Sequence, residues 1–249
     1  MDVTGSGQQR RVKAPNGLLE VIALHPADAE AAEAGGADRL ELVGSMEHGG
    51  QSCETGTVSR VARATGLPVR VMLRLRDDFS TTGGELARLV GLAGDYLAAG
   101  AEGVVFGFLN HDLDVDIPVC EAIIDALDGA PWTFHRAVDS CLDHDRAWRH
   151  LRQLDGLDAV LTAGSSLGVS HGLDELTRRA SDPAAAGLLM AGGGLEPEHV
   201  PWLVRAGVRS FHVGSSVRPD RSWDKAYVDP AYVRSWRLLL DDHTARTSS

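Results

Sequence analysis

Cysteine is scarce in this sequence, which carries only Cys53, Cys120 and Cys141 among its 249 residues. Because the number is odd and the spacings are wide, these thiols build neither a disulfide framework nor a CxxC-type metal knuckle. Long hydrophobic runs are missing too: no stretch approaches 18 consecutive apolar residues, and the first residues hold no apolar segment of signal-peptide length. These absences predict a cytoplasmic protein that neither spans a membrane nor is secreted.

Positive charge is also in short supply, because 24 Lys and Arg residues stand against 35 Asp and Glu residues and give a formal net charge of −11. A nucleic-acid backbone or an anionic membrane surface repels such a chain unless a basic patch intervenes. The one basic run, Arg10, Arg11 and Lys13, lies in a Gly-, Ser- and Gln-rich leader, residues 1–17, which we expect to be a flexible tail. The sequence therefore predicts no nucleic acid and no membrane as partners.

What the sequence does contain is a regular alternation of short apolar segments and amphipathic segments. The apolar segments start roughly 20 to 35 residues apart, as βα units require, and read LLEVIA from Leu18, RLELV from Arg39, VRVMLRLR from Val69, GVVFGFL from Gly103, WTFHRA from Trp132, AVLTAG from Ala159, LLMAGGG from Leu188 and SFHVGSS from Ser210. The amphipathic segments predict helices over 27–34, 55–65, 85–99, 118–127, 143–154 and 196–206.

Eight strand segments favour an α/β fold, a single-domain (β/α)8 TIM barrel over residues 18–216. A doubly wound open sheet is the rival architecture, but it usually has fewer strands and one dominant switch-point loop. Residues 217–249 form a predicted C-terminal extension with a helix near 232–240. Its aromatic residues, Trp223, Tyr227 and Tyr232, favour packing of this extension against the barrel over a lid on the site.

Polar side chains interrupt the apolar strands, and a barrel builds its active site from the C-terminal ends of its strands. The candidate catalytic residues are Glu20, Glu41, Arg74, His135, Arg136, Asp139 and His212. Two interpretations stay open. Glu20 and Glu41 pair with Arg74, Arg76 or Arg136 in a structural salt-bridge layer, or the charged groups converge on a polar ligand.

Glycine-rich turns follow the seventh and eighth strands. Glycine leaves backbone N–H groups uncovered, and the loops after these two strands of a barrel frequently hold a phosphate. The candidate anion-binding residues are Gly192, Gly193, Gly194, Gly214 and Ser215. The alternative is that these glycines only permit tight turns.

The segments GGADRLELV, TFHRAVD, LTAG, MAGGG and FHVGSS, in this order, resemble the CutC family of copper homeostasis proteins. The resemblance covers about residues 18–216 and implies a barrel that forms homodimers, with the seven candidate catalytic residues on recurrent polar positions of the family. It also implies copper as a ligand, for which His135 and His212, with Glu20 or Glu41 and Cys53, are the candidate metal-binding residues. The family's cysteines after the first-strand and second-strand Glu are absent here, where the chain reads EVIALHP and ELVGSM. Thiolates are the ligands that Cu(I) selects.

Three functions remain open at this point. The first is a copper-handling protein. The second is a lyase or isomerase acting on a small anionic or phosphorylated metabolite: the glycine turns hold the anion, Arg74 and Arg136 clamp a second oxyanion, and His135 with Glu20 or Asp139 moves a proton. The third is a non-catalytic binding barrel whose inner charges are structural.

Overall fold

The computed structural model describes residues 17–247. Its parallel strands follow each other in sequence order around a closed barrel, and β1 pairs with β8 to close it. The strands are β1 Leu18–Ala23, β2 Arg39–Leu42, β3 Val69–Met72, β4 Gly103–Phe106, β5 Trp132–Phe134, β6 Leu157–Thr162, β7 Leu189–Ala191 and β8 Ser210–Val213. The prediction of a (β/α)8 barrel is confirmed, and closure excludes the open sheet.

Side chains along each strand alternate between two environments. In β1, Leu19, Val21 and Ala23 belong to the large core that the helices share, whereas Ile22 belongs to a second cluster with residues of β3 and β4. Period-two alternation is what a strand of a barrel requires, since successive side chains point to opposite faces. Glu20 and Ile22 therefore lie on the inner face of the barrel.

The helices surround the barrel and mostly begin at a residue that caps them. Thr82 and Glu85 form a reciprocal capping box at the start of one helix, and the side chain of Asp116 accepts a hydrogen bond from Val119 N–H at the next. The helices are α1 Pro26–Gly35, α2 Thr55–Ala64, α3 Gly83–Ala98, α4 Ile117–Ile124, α5 His144–Leu151, α6 Val169–Ala180, α7 Pro183–Ala186, α8 Val200–Ala206 and α9 Pro230–Thr247.

Helices α6 and α7 were not predicted from the sequence. Gly168 and Gly172 lower the helical propensity of the α6 segment, but Gly172 is needed there, because a Cβ at this position would lie 2.0 Å from the carbonyl oxygen of Ala163. The predicted helices 118–127 and 143–154 end earlier, at Ile124 and Leu151, and a 3₁₀ turn over Asp125–Leu127 continues the first of them.

The C-terminal extension packs on the outside of the barrel. Its predicted helix is longer than expected and spans α9, which packs against α1 so closely that a Cβ on Gly35 would lie 2.4 Å from Cβ of Val233. Of the predicted leader, only Gly17 lies within the described residues, so Arg10, Arg11 and Lys13 fall outside them. The boundaries at residues 17 and 216 stay predictions. Within residues 17–247, none of the helices combines the length and apolar character that crossing a membrane requires.

Candidate functional site

A cavity of about 480 Å³ opens at the C-terminal ends of the strands. Of the residues that the sequence predicts for the site, the cavity is lined by Glu41, Arg74, His135, Arg136, Asp139, Gly193, Gly194, His212, Gly214 and Ser215. Glu20, Gly192 and Cys53 are not among its lining residues. The structure therefore brings most of the predicted residues together in the place where barrels hold their active sites.

Three adjacent strands carry a buried chain of charges beneath this cavity. Glu20 of β1 is the register partner of His212 of β8, and its Oε1 lies 2.8 Å from His212 Nδ1. On the other side of the imidazole, Nε2 lies 3.5 Å from Oε2 of Glu41 of β2. Arg39 Nε completes the chain by donating to Glu20 Oε2 at 2.5 Å. Glu20 lies in the middle of β1 and outside the cavity lining, whereas Glu41, the second-last residue of β2, lines the cavity.

The charges in this chain give the two carboxyl groups different pKa values. Burial raises the pKa of Glu20, but Arg39 and then His212 outweigh it and lower the pKa to about 2. Burial raises the pKa of Glu41 to about 7, and the Glu20 charge adds to that shift. The two carboxylates outweigh the burial of His212 and raise its pKa. Glu20 is thus a fixed anion, whereas Glu41 exchanges its proton near neutral pH.

Glu41 has an atom that nothing in the described residues satisfies. Its Oε1 is buried and without a hydrogen-bond partner there, and Glu41 lines the cavity. An unpaired buried polar atom is costly, and such atoms mark places where a ligand or a catalytic step supplies the partner.

His135 presents a second unsatisfied group to the same cavity. Its Nδ1 accepts a hydrogen bond from Ala137 N–H at 3.2 Å, so the neutral ring carries its proton on Nε2, which is buried and unpaired among the described residues. Burial, and then the charge of Arg74, lower the pKa of His135 to about 3. The ring is therefore a neutral hydrogen-bond donor in the cavity wall, not an acid that titrates near neutrality.

Arg74 binds backbone carbonyl groups and not the substrate oxyanion that the sequence analysis predicts for it. Its guanidinium donates to the carbonyl oxygens of His48, Gly50, Asp77 and Asp78, and it stacks on the ring of Phe79 at 4.9 Å. These bonds tie together the loops that follow β2 and β3. Arg74 is a scaffold for the cavity wall.

Asp139 also acts as a scaffold, and it positions Arg136. Its two oxygens accept from Thr162 Oγ1 at 2.5 Å, from Ala163 N–H at 3.0 Å and from Arg136 Nε at 2.9 Å. Arg136 Nη2 donates to the carbonyl oxygens of Ser165 and Ser166, while its Nη1 makes no hydrogen bond within residues 17–247. Arg136 can therefore donate to a ligand, whereas Asp139 has no oxygen left to act as a base.

The glycine turns line the same cavity. Gly193 and Gly194 have φ of +91° and +76°, which favour glycine, and a Cβ on Gly193 would lie 2.6 Å from Arg136 Nε. Gly192 N–H is taken by the carbonyl of Thr162, and a Cβ there would touch His212. Gly192 therefore allows close packing beneath the loop, and Gly193 with Gly194 forms the surface that a ligand reaches.

The expected salt-bridge layer between Glu20 or Glu41 and Arg74, Arg76 or Arg136 is wrong. The buried ion pairs inside the barrel use Arg39 and Arg70 instead, and Arg70 donates to both oxygens of Asp158 and to Glu102. Both arginines alternate with apolar residues in the segments RLELV and VRVM, so the signal for them was a charge at an inward position of a strand.

Among the cavity residues that the sequence analysis missed are two thioethers and an ion pair: Met46, Met72, Glu196 and Arg221. Trp223, which we expected to pack the extension onto the barrel, also lines the cavity. Met46, Glu196 and Arg221 lie in loops, where no periodicity marks a residue as part of a site. Long-range contacts alone reveal them.

The donor set for a metal ion differs from the predicted one. Among the described residues, Glu20, Glu41 and His212 offer ligand atoms within 4.8 Å of one another, and neither His135 nor Cys53 belongs to this group. Burial raises the pKa of the Cys53 thiol to about 11, and that of Cys120 and Cys141 to about 12. Cu(I) selects soft sulfur ligands and a thiolate binds best, so two carboxylates and an imidazole fit it poorly.

Comparison with known proteins now adds the family. The CutC family model matches residues 18–217. The chain belongs to the CutC family. A CutC family protein of Klebsiella pneumoniae strain 342 is 36% identical over 199 residues, which cover 78% of this chain and 78% of that protein. The human copper homeostasis protein cutC homolog is 31% identical over 220 residues, covering 83% of this chain and 79% of that protein.

Solved structures agree with the barrel. A CutC protein from Streptococcus agalactiae superposes with a TM-score of 0.72 at 24% identity and covers 80% of this chain and 98% of that one. A thiamine phosphate pyrophosphorylase from Pyrococcus furiosus, at 15% identity and a TM-score of 0.57, covers 92% of this chain and 98% of that one. At such identities these two structures share the fold with this chain, and the fold alone does not carry an activity.

Proposed function

We propose that this CutC family protein is a lyase or isomerase that transfers a proton on a small anionic or phosphorylated carbonyl compound. The observation that carries the proposal is that two residues lining one cavity, Glu41 and His135, each hold a buried polar atom without a partner among the described residues, Oε1 and Nε2. A general base works best with a pKa near the working pH, and the pKa of Glu41 is raised to about 7.

In the proposed reaction, ionised Glu41 takes a proton from the carbon next to the substrate carbonyl. His135 donates its Nε2 hydrogen bond to the carbonyl oxygen and stabilises the enolate that forms. His212, held by Glu20 at 2.8 Å, positions the Glu41 carboxyl group. Return of the proton to the same carbon gives back the substrate. In a 2-hydroxy carbonyl compound the intermediate is an enediolate, and return of the proton to the former carbonyl carbon, with transfer of the hydroxyl proton to the former carbonyl oxygen, gives the isomer.

The anionic end of the substrate is proposed to lie against the glycine turns. Gly193, Gly194, Gly214 and Ser215 line the cavity, and they leave room for oxygen atoms next to the backbone. Arg136, held in place through its Nε by Asp139, has Nη1 available to donate to the same anion. A small anion therefore finds both a backbone surface and a guanidinium there.

Solvent exchange tests this proposal even though the substrate is unidentified. The protein is incubated in D2O with a panel of phosphorylated and carboxylated aldehydes and ketones, and deuterium incorporation is followed by proton NMR. We expect catalysed exchange with at least one compound, lowered about a hundredfold or more in Glu41→Gln and by about tenfold in His135→Gln. Arg178→Gln, on the exposed face of α6, is the control. Exchange no faster than in buffer, or exchange indifferent to Glu41→Gln, contradicts the proposal.

Copper binding is the second candidate, because the name of the human relative speaks of copper homeostasis. One feature of the cavity favours it: the thioethers of Met46 and Met72 line the wall, and thioethers are soft ligands. Cu(I) competition titration of wild type against a Met46→Leu/Met72→Leu variant and a His135→Ala/His212→Ala variant tests it. Stoichiometric Cu(I) that either variant loses supports copper binding, and weak binding that is the same in all three rejects it.

We also propose a cytoplasmic location and a homodimer. The three cysteines are free thiols, as a reducing compartment keeps them. Trp202 of α8 and Leu238 of α9 are 56% and 62% exposed on neighbouring helices, and such an apolar surface suits a subunit contact. Light scattering of the purified chain checks the dimer, and Trp202→Glu is expected to yield monomers.

A further inference from the structure

The segment 218–228, which follows β8, is fastened at both ends to one buried carboxylate. Asp28 of α1 accepts from Arg218 Nη2 at 2.7 Å and from Val228 N–H at 2.8 Å. Arg218 is 1% exposed, and its Nη1 donates to the carbonyl of Ala226 inside the same segment. We call residues 218–228 the strap.

Between its two anchors the strap forms one wall of the cavity. Trp223 stacks under the Arg218 guanidinium at 4.9 Å and lies against Gly214, whose added Cβ would be 2.7 Å from its ring. Asp220 and Arg221 have φ of +52° and +56°, a left-handed conformation that costs a non-glycine residue about 1 kcal/mol each. The fixed ends and the unusual backbone together direct Arg221 toward the mouth of the cavity.

There Arg221 meets a carboxylate from the loop after β7. Its Nη1 and Nη2 donate to Oε1 and Oε2 of Glu196 at 2.6 and 2.7 Å. Glu196 follows Gly194 by two residues, and both residues of this ion pair line the cavity beside the glycine turns. A bidentate contact between guanidinium and carboxylate is the arrangement that a substrate oxyanion takes up on an arginine.

This ion pair is easily exchanged. The Arg221 side chain is 60% exposed and that of Glu196 26% exposed, and such pairs add little stability. Of the other two arginines of the cavity, Arg74 is committed to backbone carbonyls, and Arg136 has Nη1 left for a ligand because its Nε is paired with Asp139 and its Nη2 with backbone carbonyls. A phosphate dianion carries more charge than the Glu196 carboxylate and is the stronger partner for a guanidinium.

We propose that Arg221 recognises the phosphate group of a phosphate monoester and that Glu196 is its resident counter-ion, which the phosphate displaces. The proposal rests on the proposed function, because it identifies the anionic end of that substrate. Glu41 and His135, whose Oε1 and Nε2 are buried and unpaired in the described part of the chain, line the same cavity. The glycine turns then contact the phosphate from one side and Arg221 covers it from the other.

Two variants that each remove one charge of the ion pair test the displacement of Glu196 by phosphate, because they should change phosphate affinity in opposite directions. Isothermal titration of the intact protein with inorganic phosphate is compared for wild type, Arg221→Gln and Glu196→Gln. We expect Arg221→Gln to weaken binding about tenfold and Glu196→Gln to strengthen it about threefold or more, since the competing carboxylate is gone. The double variant should bind as weakly as Arg221→Gln alone.

Arg178→Gln is the matched control, because Arg178 makes the same kind of contact with both oxygens of Glu175 on α6, outside the cavity. It should leave phosphate affinity unchanged. A purely structural ion pair would change the melting temperature of both variants in the same direction and would leave phosphate binding alone. That result, or wild type that binds no phosphate at millimolar concentration, overturns the proposal.

The test separates this inference from the proposed function. Glu41→Gln removes proton exchange, whereas Arg221→Gln should weaken phosphate binding by the same factor in this variant as in wild type. Phosphate binding with the expected opposite signs, together with no exchange in the substrate panel, supports Arg221 and rejects the proton-transfer enzyme. Deuterium exchange that is lost in Glu41→Gln, together with a phosphate affinity that neither Arg221→Gln nor Glu196→Gln changes, supports the proton-transfer enzyme and rejects the role of Arg221.

Discussion

At the scale of single residues, the barrel interior gives the carboxyl groups of two glutamates, Glu20 and Glu41, different protonation states. Glu20 has Arg39 and His212 as hydrogen-bonded partners, so its pKa falls to about 2. Glu41 has only the longer 3.5 Å contact with His212, so burial dominates and its pKa rises to about 7. Groups of one type with divergent pKa values are how an active site assigns the roles of fixed charge and proton carrier.

Glu41→Gln should make the protein less sensitive to alkaline pH. The folded-state pKa of Glu41, about 7, lies above its ordinary value of 4.5, so its contribution to stability is complete below pH 4.5 and is lost as the pH rises through 7. Gln cannot ionise and avoids this loss. We expect the free energy of unfolding of Glu41→Gln, relative to wild type, to increase by about 1–3 kcal/mol between about pH 4.5 and about pH 8 in urea titrations.

His212, Glu20 and Arg39 face Glu41, and all three are unchanged in that variant. An identical difference between variant and wild type at both pH values would show that Glu41 is ionised throughout the range.

Alanine substitutions at Gly193 and Gly194 form a matched pair of variants that tests how the glycine turn after β7 holds an anion. Both have positive φ, so alanine costs each about 1 kcal/mol of stability. Only at Gly193 would the new methyl group meet Arg136, at 2.6 Å, since nothing among the described residues lies within 4 Å of a Cβ on Gly194. We expect Gly193→Ala to weaken phosphate binding about tenfold and Gly194→Ala to change it by less than about twofold. Equal effects in calorimetry would reject a role for Arg136 in holding the anion.

At the scale of elements, the strap brings the first part of the C-terminal extension to the cavity, while α9 packs against α1 and α8 on the outside of the barrel. Asp28, with 0% exposure, satisfies Leu24 N–H, Val228 N–H and Arg218 at once. The same residues that hold α1 against β1 therefore hold the cavity wall that carries Arg221.

Asp28→Asn should show how much the strap depends on this anchor. The change leaves the buried Arg218 guanidinium without its counter-ion, and breaking such a pair from one side costs about 3–5 kcal/mol. Urea unfolding measures the loss. Arg246→Gln, which removes an exposed pair with Asp242 on α9, is the control and should stay within about 0.5 kcal/mol of wild type. A small effect of Asp28→Asn would mean that the strap is held by other contacts.

The elements also show what sequence patterns can predict. The alternation of short apolar segments with amphipathic ones was enough to predict the eight strands of the barrel, and with them a cavity at the C-terminal ends of the strands. Charged strand residues were identified as important, but their partners were not, because the contacts of Glu20 with Arg39 and His212 depend on the register between strands. Arg221 and Glu196 were missed, since a loop-to-loop ion pair leaves no periodic signal. The helix α6 was hidden by a glycine that close packing requires.

At the scale of the whole molecule, an ion-pair network around Arg70 lies outside the lining of the cavity and is linked to it through Arg39, whose Nη1 lies 3.8 Å from Asp158 Oδ2 and whose Nε binds Glu20. Arg70, fully buried, joins Asp158, Glu102 and Thr133, and none of these four residues lines the cavity. Conventional barrels keep stability and catalysis at opposite ends in this way.

Arg70→Gln should therefore lower stability without touching the ligand site. Removing this guanidinium from its partners is expected to cost about 3 kcal/mol or more in urea unfolding. Phosphate affinity of the folded variant should stay within about twofold of wild type, because the change is remote from the glycine turns. A folded Arg70→Gln protein that has lost phosphate binding about tenfold would show that the two ends are coupled.

The protonation state of Glu41 decides whether this cavity holds a proton carrier. Infrared difference spectra of wild type minus Glu41→Gln are recorded in D2O from about pD 5 to about pD 9, with the glutamates isotope-labelled. We predict a carbonyl band of a protonated carboxylic acid that is present at the acidic end and disappears around neutrality, as a pKa of about 7 requires. A Glu41 that shows only carboxylate bands over the whole range would contradict a proton carrier at the base of this cavity.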